Sequence, residues 1–215
     1  MHGNDCTLVS GSQPTSLSAP ALYGGSSDEP QIHIRPFQPQ DTRLLFGAVQ
    51  ESSDQLCAWM TWCHPNYGVE HCNAFVADSI AAWEKGREFS FAIIDSADGT
   101  LLGSVGINQV NLAHNFANLG YWVRGTRTRQ GIASEAVKLA ARFGFQKLSL
   151  SRLALLIPTK NVASQRVAVK AGAQNEGVLR HRLLLAGKLQ DAFLYSLVPG
   201  DLQLEERHHE LEVPA

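Results

Sequence analysis

The residues whose types and spacing could do chemistry begin at Arg127. The stretch RTRQGIASEA, from Arg127 to Ala136, sets two arginines and a glutamine before a glycine, and an apolar, Ala-rich pattern starts at once. A helix start exposes unpaired backbone N–H groups and the positive end of the dipole, and phosphates bind there. Gly131 lets the backbone approach a ligand closely, and Arg127 and Arg129 add charge. The loop from Thr128 to Ser134 therefore reads as a pyrophosphate cradle. Taken alone, it is better read as an ordinary strand-to-helix turn with surface arginines, because short glycine patterns give many false matches.

Other candidates are less specific. Asn161 suits a helix cap, and Ser164 three residues later suits the first turn of that helix, where serine satisfies backbone donors. Trp59 and Trp62 stand three apart, so on a helix they share a face. CHPNYGVEHC, Cys63 to Cys72, holds two cysteines and two histidines within ten residues. Its Cys-His then His-Cys order does not follow zinc pairs, in which like ligands stand two to five residues apart, so no metal is expected.

The elements that must position these groups can be read from periodicity. Gln31–Pro36 alternates as a strand, Pro39–Glu51 and Val69–Lys85 read as helices, and Glu88–Asp95 and Thr100–Val110 form a hairpin around SADG. Phe116–Arg124 is a further strand in which Gly120 suggests a bulge. Ile132, Ala136, Leu139, Ala140 and Phe143 fall on one helical face, while Lys138, Arg142 and Gln146 face away. Glu135 is expected to be exposed and favourable to the helix dipole. Arg152–Ile157 suits a buried strand, a helix runs from Asn161 to Ala171 with Gly172 as its stop, and Val178–Leu185 and Leu189–Leu197 form a last hairpin. Tyr121 and Trp122 are expected mostly in the core, on opposite sides of their strand. Residues 1–30, rich in Ser, Gly, Pro and Ala, read as a mobile leader, residues 31–200 as one domain, and residues 201–215 as a charged tail that includes His208 and His209.

Bulk properties narrow the function. With 215 residues, 44% hydrophobic, the chain can bury a core without disulfides or metal. The formal charge of −2 is not that of a general nucleic-acid binder, so no nucleic-acid partner is expected. Cys6, Cys57, Cys63 and Cys72 match no disulfide scaffold and read as reduced thiols of a cytoplasmic protein. No apolar run approaches the ~20 residues of a membrane helix, and the first residues lack the basic start and apolar stretch of a secretory signal.

GYWVRGTRTRQGIASEA, followed by NVASQRVAVKAGA, resembles the Gcn5-related N-acetyltransferase (GNAT) family, and within it the RimJ/RimL-like ribosomal-protein N-terminal acetyltransferases. The family's phosphate-loop pattern, Gln/Arg-x-x-Gly-x-Gly/Ala, stands here as Thr128-Arg129-Gln130-Gly131-Ile132-Ala133, with Thr at the first position. Its second signature, Asn-x-x-Ser, matches Asn161 and Ser164, and IRPFQPQD and LCAWMTWC also fit, so the resemblance spans about residues 31–198. It implies a mixed α/β (α+β) fold with a mostly antiparallel sheet of about seven strands and about four helices, splayed at the cofactor site.

The resemblance also assigns roles. The strand through Tyr121 and Val123 would pair with the pantetheine arm of acetyl-CoA, and the N–H near Val123 would polarise the thioester carbonyl. Arg129, Gln130, Gly131, Ile132, Ala133 and Ser134 would hold the pyrophosphate, with Asn161 and Arg166 from the next helix also at the cofactor. Ser164 would protonate the leaving thiolate as general acid. Relatives frequently carry Glu two residues before the Gly-Tyr of this strand, where Asn118 stands here, and an amide cannot act as a base. A water chain, Asp191, His181 or His114 remains for that task, with Asp191 equally readable as a strand-end charge. Asn118, with Trp59 and Trp62, which read equally well as core filling, would face the acceptor. The implied activity is acetyl-CoA-dependent acetylation of a primary amine, without a metal. The acceptor would be a peptide or protein N-terminus, with a small-molecule amine (antibiotic, peptide toxin or polyamine) or a non-catalytic acetyl-CoA sensor as the alternatives, and a homodimer as in much of the branch.

Overall fold

The computed structural model describes residues 21–24 and 30–204. Cys6, most of the expected leader, and the tail beyond Leu204 with His208 and His209 lie outside the described residues.

Eight strands form one sheet in the order β1-β2-β3-β4-β5-β6-β8-β7. They are β1 (Leu22–Gly24), β2 (Ile32–Pro36), β3 (Phe89–Asp95), β4 (Leu101–Asn111), β5 (Phe116–Val123), β6 (Arg152–Pro158), β7 (Gln174–Leu185) and β8 (Lys188–Leu197). The helices are α1 (Asp41–Glu51), α2 (Ser53–Cys57), α3 (Val69–Glu84), α4 (Ile132–Gln146) and α5 (Val162–Lys170). The mixed α/β fold with a mostly antiparallel sheet is as expected, with one strand and one helix more. The added strand, β1, comes from the expected leader: Leu22–Gly24 pair antiparallel with Ile32–Ile34. Among the described residues, no helix is long and apolar enough to cross a membrane.

Each face of the sheet carries its own core. Under one face, Ile132, Ala136, Leu139, Ala140 and Phe143 of α4 are at most 3% exposed, as the helical spacing predicts. Gly144 keeps α4 close, since a Cβ there would stand 3.0 Å from Ile107 Cδ1 and 3.2 Å from Leu153 Cδ1. Over the other face, α1 and α3 pack Leu45, Val49 and Val76 on Ile94 and Leu101. Arg35 fixes the start of α1: its guanidinium donates to both oxygens of buried Asp41, each at 2.7 Å. Glu135, expected at the surface, is only 5% exposed, because β1 lies across it. A Cβ on Gly24 would stand 2.4 Å from Glu135 Oε1.

The sheet changes direction at its centre. All neighbours are antiparallel except β5 and β6, and these pair only at Phe116–Asn118 with Arg152–Ala154. Beyond that point the two strands part. The bulge expected at Gly120 is absent there, since Gly120 sits in register opposite Gly106. The register slips instead on β4 between Asn108 and Asn111, where Gln109 adopts φ 51°. An extra residue in αL is a bulge device, and polar Gln109 serves where glycine is more usual.

Candidate active site

The parting of β5 from β6 opens two adjoining cavities. One, of about 510 Å³, lies toward the start of α4, and the other, of about 400 Å³, lies toward α1 and the segment before α3. Tyr121, Trp122, Asn161, Ser164, Trp59 and Met60 line both.

The backbone of β5 is oriented for use. Arg124 N–H donates to Leu102 O at 2.7 Å, on the β4 side. Strand N–H groups alternate in direction, so those of Val123 and Tyr121 point the other way, into the gap where β6 no longer pairs. The side chains split as expected: Tyr121 packs with the α4 core and Trp122 with the α1–α3 core. Tyr121 Oη donates to Ser164 O at 2.9 Å, tying β5 to the first turn of α5, and burial pushes the phenol well above its ordinary pKa.

The larger cavity ends on the start of α4. Gly131 is the N-cap at φ 79°, and no side chain caps the helix. Ser134 Oγ donates back to Gly131 O at 2.8 Å, which leaves the first N–H groups of the helix for a ligand. Ile132, Ala133 and Ser134 line this cavity with Gly131, as do Val123 and Tyr121. Arg129, Arg166 and Lys170 line it too, and none has a hydrogen-bond or ion-pair partner among the described residues. Three uncompensated cations around a helix N-terminus call for an anion of several charges. A Cβ on Gly131 would stand 3.1 Å from Lys170 Nζ, so the bare backbone keeps this cradle open. A pyrophosphate fits it.

Two loop residues do something other than expected. Arg127 lines the cavity but is ion-paired with Asp95 and donates to Gln130 Oε1 at 3.2 Å, so its charge is already offset, and Gln130 is not among the lining residues. Thr128, which departs from the family pattern, donates from Oγ1 to Gly125 O at 3.0 Å and closes the preceding 3-10 turn. The backbone makes the cradle, so that position needs only a residue that holds the turn.

The smaller cavity has Gly120 on its floor, where a Cβ would meet nothing within 4 Å. Trp59 and Trp62 line it, though not from a shared helical face: α2 ends at Cys57, and both residues sit in the turns that follow. Cys57 and Cys63 are joined as a disulfide that closes this loop, against the expectation of reduced thiols. Trp62 packs on Trp122 at 6.2 Å and on Tyr67 at 5.2 Å between ring centroids. Asn118 lines the cavity and donates from Nδ2 to Asn108 Oδ1 at 2.9 Å. Ser164 Oγ has no partner among the described residues, whereas Asn161 Oδ1 accepts Ser164 N–H at 3.1 Å as the cap of α5.

None of the side chains considered as a base reaches either cavity. Asp191 Oδ1 accepts His181 N–H at 2.8 Å within the β7–β8 hairpin, and His114 lies in the β4–β5 turn. No Asp or Glu is among the described residues lining the two cavities. The histidines of CHPNYGVEHC are ring partners of Tyr67, Cys63 is in the disulfide, and Cys72 is buried in the α1–α3 core. Lys170 was not singled out in the sequence. Its signal was present, since it stands four residues after Arg166 and shares that helical face.

Residues 31–174 match the family model for the acetyltransferase (GNAT) domain. An uncharacterized N-acetyltransferase of Bacillus subtilis, YoaA, is 28% identical over 174 residues, 78% of this chain and 93% of the relative. The spermidine N(1)-acetyltransferase of Escherichia coli is 30% identical over 161 residues, 75% of this chain and 82% of the relative. Among solved structures, Mycobacterium smegmatis RimJ in complex with CoA-disulfide superposes with a TM-score of 0.75 at 22% identity, covering 87% of this chain and 90% of that one.

Proposed function

The chain belongs to the GNAT acetyltransferase family and is an acetyl-CoA-dependent N-acetyltransferase, and from that premise we propose that its acceptor is the α-amine of a peptide or protein N-terminus. The observation that carries this reading is the lack of any carboxylate among the described residues lining the two cavities.

Such a cleft discriminates between amines in two ways. Among the described residues lining it there is no carboxylate to neutralise a polycation and no carboxylate or histidine to deprotonate an ammonium. The acceptor must arrive neutral or lose its proton to water. An α-amine titrates near 7.7–8.0, and a lysine-like alkylamine near 10.4. At pH 7.5 roughly a third of the first is neutral, against roughly 0.1% of the second, a difference of a few hundredfold. The spermidine-acetylating relative therefore does not set the acceptor of this chain.

The cofactor supplies the acetyl group as a thioester. The residues that would hold it are the α4 N-terminus at Gly131, Ile132, Ala133 and Ser134, with Arg129, Arg166 and Lys170 on its phosphates. Val123 N–H, aimed into the gap, would stabilise negative charge developing on the carbonyl oxygen. Ser164 would give its hydroxyl proton to the departing sulfur and regain one through water from the attacking nitrogen, which sheds its proton as the amide forms; Tyr121 holds the turn that carries Ser164. Asn161 caps that turn. Asn118 and the tryptophans at 59 and 62 seat the acceptor. Transfer is direct, within a ternary complex.

The test is acetyl transfer at pH 7.5 to three acceptors: a lysine-free peptide with a free N-terminus, a lysine-containing peptide with its N-terminus blocked, and spermidine. The expected order is the free peptide ahead of both others by about 100-fold or more in kcat/KM. Spermidine turned over as fast as the free peptide would overturn the proposal.

A further inference from the structure

The acceptor cavity contains one charged residue among its described lining, and the mechanism above does not use it. That residue is Arg182, on β7. It also lines a second hollow of about 290 Å³, which shares Gln109, Asn118 and Leu156 with the acceptor cavity. The two hollows form one trough leading from Ser164 past Asn118. Arg152 lies in the far hollow, but it is held by Glu176 in a two-pronged ion pair, one contact at 2.7 Å. Arg182 has no hydrogen-bond or ion-pair partner among the described residues.

The hairpin is built to put Arg182 there. Between Leu179 and Leu183 the register with β8 slips: four steps on β7 face two on β8, from Ala192 to Gln190. The two extra residues loop out, with His181 at φ 51°. Asp191 Oδ1 accepts His181 N–H at 2.8 Å, and Asp191 O accepts Thr159 N–H at 3.1 Å, which anchors the bulge to the chain just before Asn161. Bulges re-aim side chains beside active sites. Asp191 and His181, which sequence reasoning offered as bases, are thus positioning residues for an arginine.

We infer that Arg182 is a specificity-determining residue that selects acceptors carrying a carboxylate side chain within the first few residues after the α-amine. The inference rests on the α-amine reading above. With the amine near Ser164, the following residues run along the trough beneath Arg182. A carboxylate there gains a charge-assisted, two-pronged hydrogen bond, whereas a lysine meets a like charge on an exposed side chain that salt can screen. The neighbouring side chains, Gln109 and Asn118, are neutral amides and do not compete.

The test uses lysine-free peptides with a free N-terminal alanine and a single Asp at position 2, 3 or 4, each with its Asn counterpart. They are assayed on the wild type, Arg182→Ala and Arg182→Glu. Peptide binding in the presence of coenzyme A is measured in parallel by calorimetry. For at least one position, the wild type is expected to prefer Asp over Asn by roughly tenfold, mostly in KM and in the binding constant, and to lose much of that preference as salt rises. Arg182→Ala should abolish the preference while acetylating the Asn peptides normally, and Arg182→Glu should reverse it. Peptides that all turn over without an Asp preference, or a preference that survives Arg182→Ala, would overturn the assignment of Arg182 alone. No acetylation of any peptide by the wild type would overturn the α-amine reading and this inference with it.

Discussion

Replacing Gly131 with alanine separates the cradle's structural role from its binding role. Gly131 has φ 79°, a conformation that costs an L-residue about 1–2 kcal/mol. The new methyl would stand 3.1 Å from Lys170 Nζ, the end of a flexible side chain, and 3.4 Å from Pro30 Cδ. Both neighbours can yield, so the loss in apo stability should stay near the backbone cost. For a domain of this size that is a fall in Tm of about 2–8 °C. Binding should suffer separately, because the methyl occupies the face where the Lys170 ammonium and the helix N–H groups meet an anion. A tenfold weaker Kd is the expected minimum. Acetyl-CoA at 100 times the wild-type Kd stabilises the wild type by about 2.7 kcal/mol, and the variant, now at ten times its own Kd, by only about 1.4 kcal/mol. Gly187→Ala is the control: Gly187 has φ 73°, a Cβ there would meet nothing within 4 Å, and it does not line the cofactor cavity. Both variants should lose comparable apo stability, and only Gly131→Ala should lose the response to acetyl-CoA, read by thermal shift with and without cofactor. A Gly131→Ala protein that melts lower but responds in full would refute the placement of the phosphates.

Three further predictions follow from the geometry. Ser164→Ala should lower kcat by about 10²-fold and leave the acetyl-CoA Kd unchanged, checked by thiol release and calorimetry. Gly120→Leu should leave the fold intact, because a side chain there enters open space, but it should fill the acceptor cavity and raise the acceptor KM by about tenfold or more without changing cofactor affinity. The Arg152 guanidinium, with help from the Ser196 hydroxyl, holds the Glu176 carboxyl down to about 2, from an ordinary 4.5. A depressed carboxylate stabilises the fold above its unfolded pKa and loses that contribution as pH falls through the folded value, so the window is pH 4.5 to about 2. The pair is about a third exposed, which keeps the contribution small. Urea unfolding at stepped pH should show a shallower acid loss for Glu176→Gln than for the wild type.

The loop before α4 was legible because its requirements are local: an αL glycine, small residues, and a helix that starts on the next residue. Asn161 and Ser164 were legible for the same reason, as a cap and its first turn. What the sequence hid depended on distant pairing. Glu135 looked exposed by type and position, and is buried because a strand over a hundred residues earlier in the chain crosses it. Asp191 looked like a base by type, but its oxygen is committed to His181 N–H, and only the register of β7 on β8 shows that. Glycine's tolerance points to a bulge at Gly120, but the register slips at Gln109 on the neighbouring strand, opposite Phe116–Asn118, where residue type alone gives no signal. Trp59 and Trp62 line the smaller cavity from turns closed by Cys57–Cys63 rather than from a shared helical face.

The most direct test of a cleft with no carboxylate or histidine among its described lining is kcat/KM against pH for two peptides of one sequence whose N-terminal amines differ in pKa by about one unit, a tenfold change in the neutral fraction at low pH. The acidic limb of each profile should follow the titration of its own acceptor, so the midpoint moves with the amine. A midpoint that stays fixed while the acceptor pKa changes would report a titrating group of the enzyme and contradict the account.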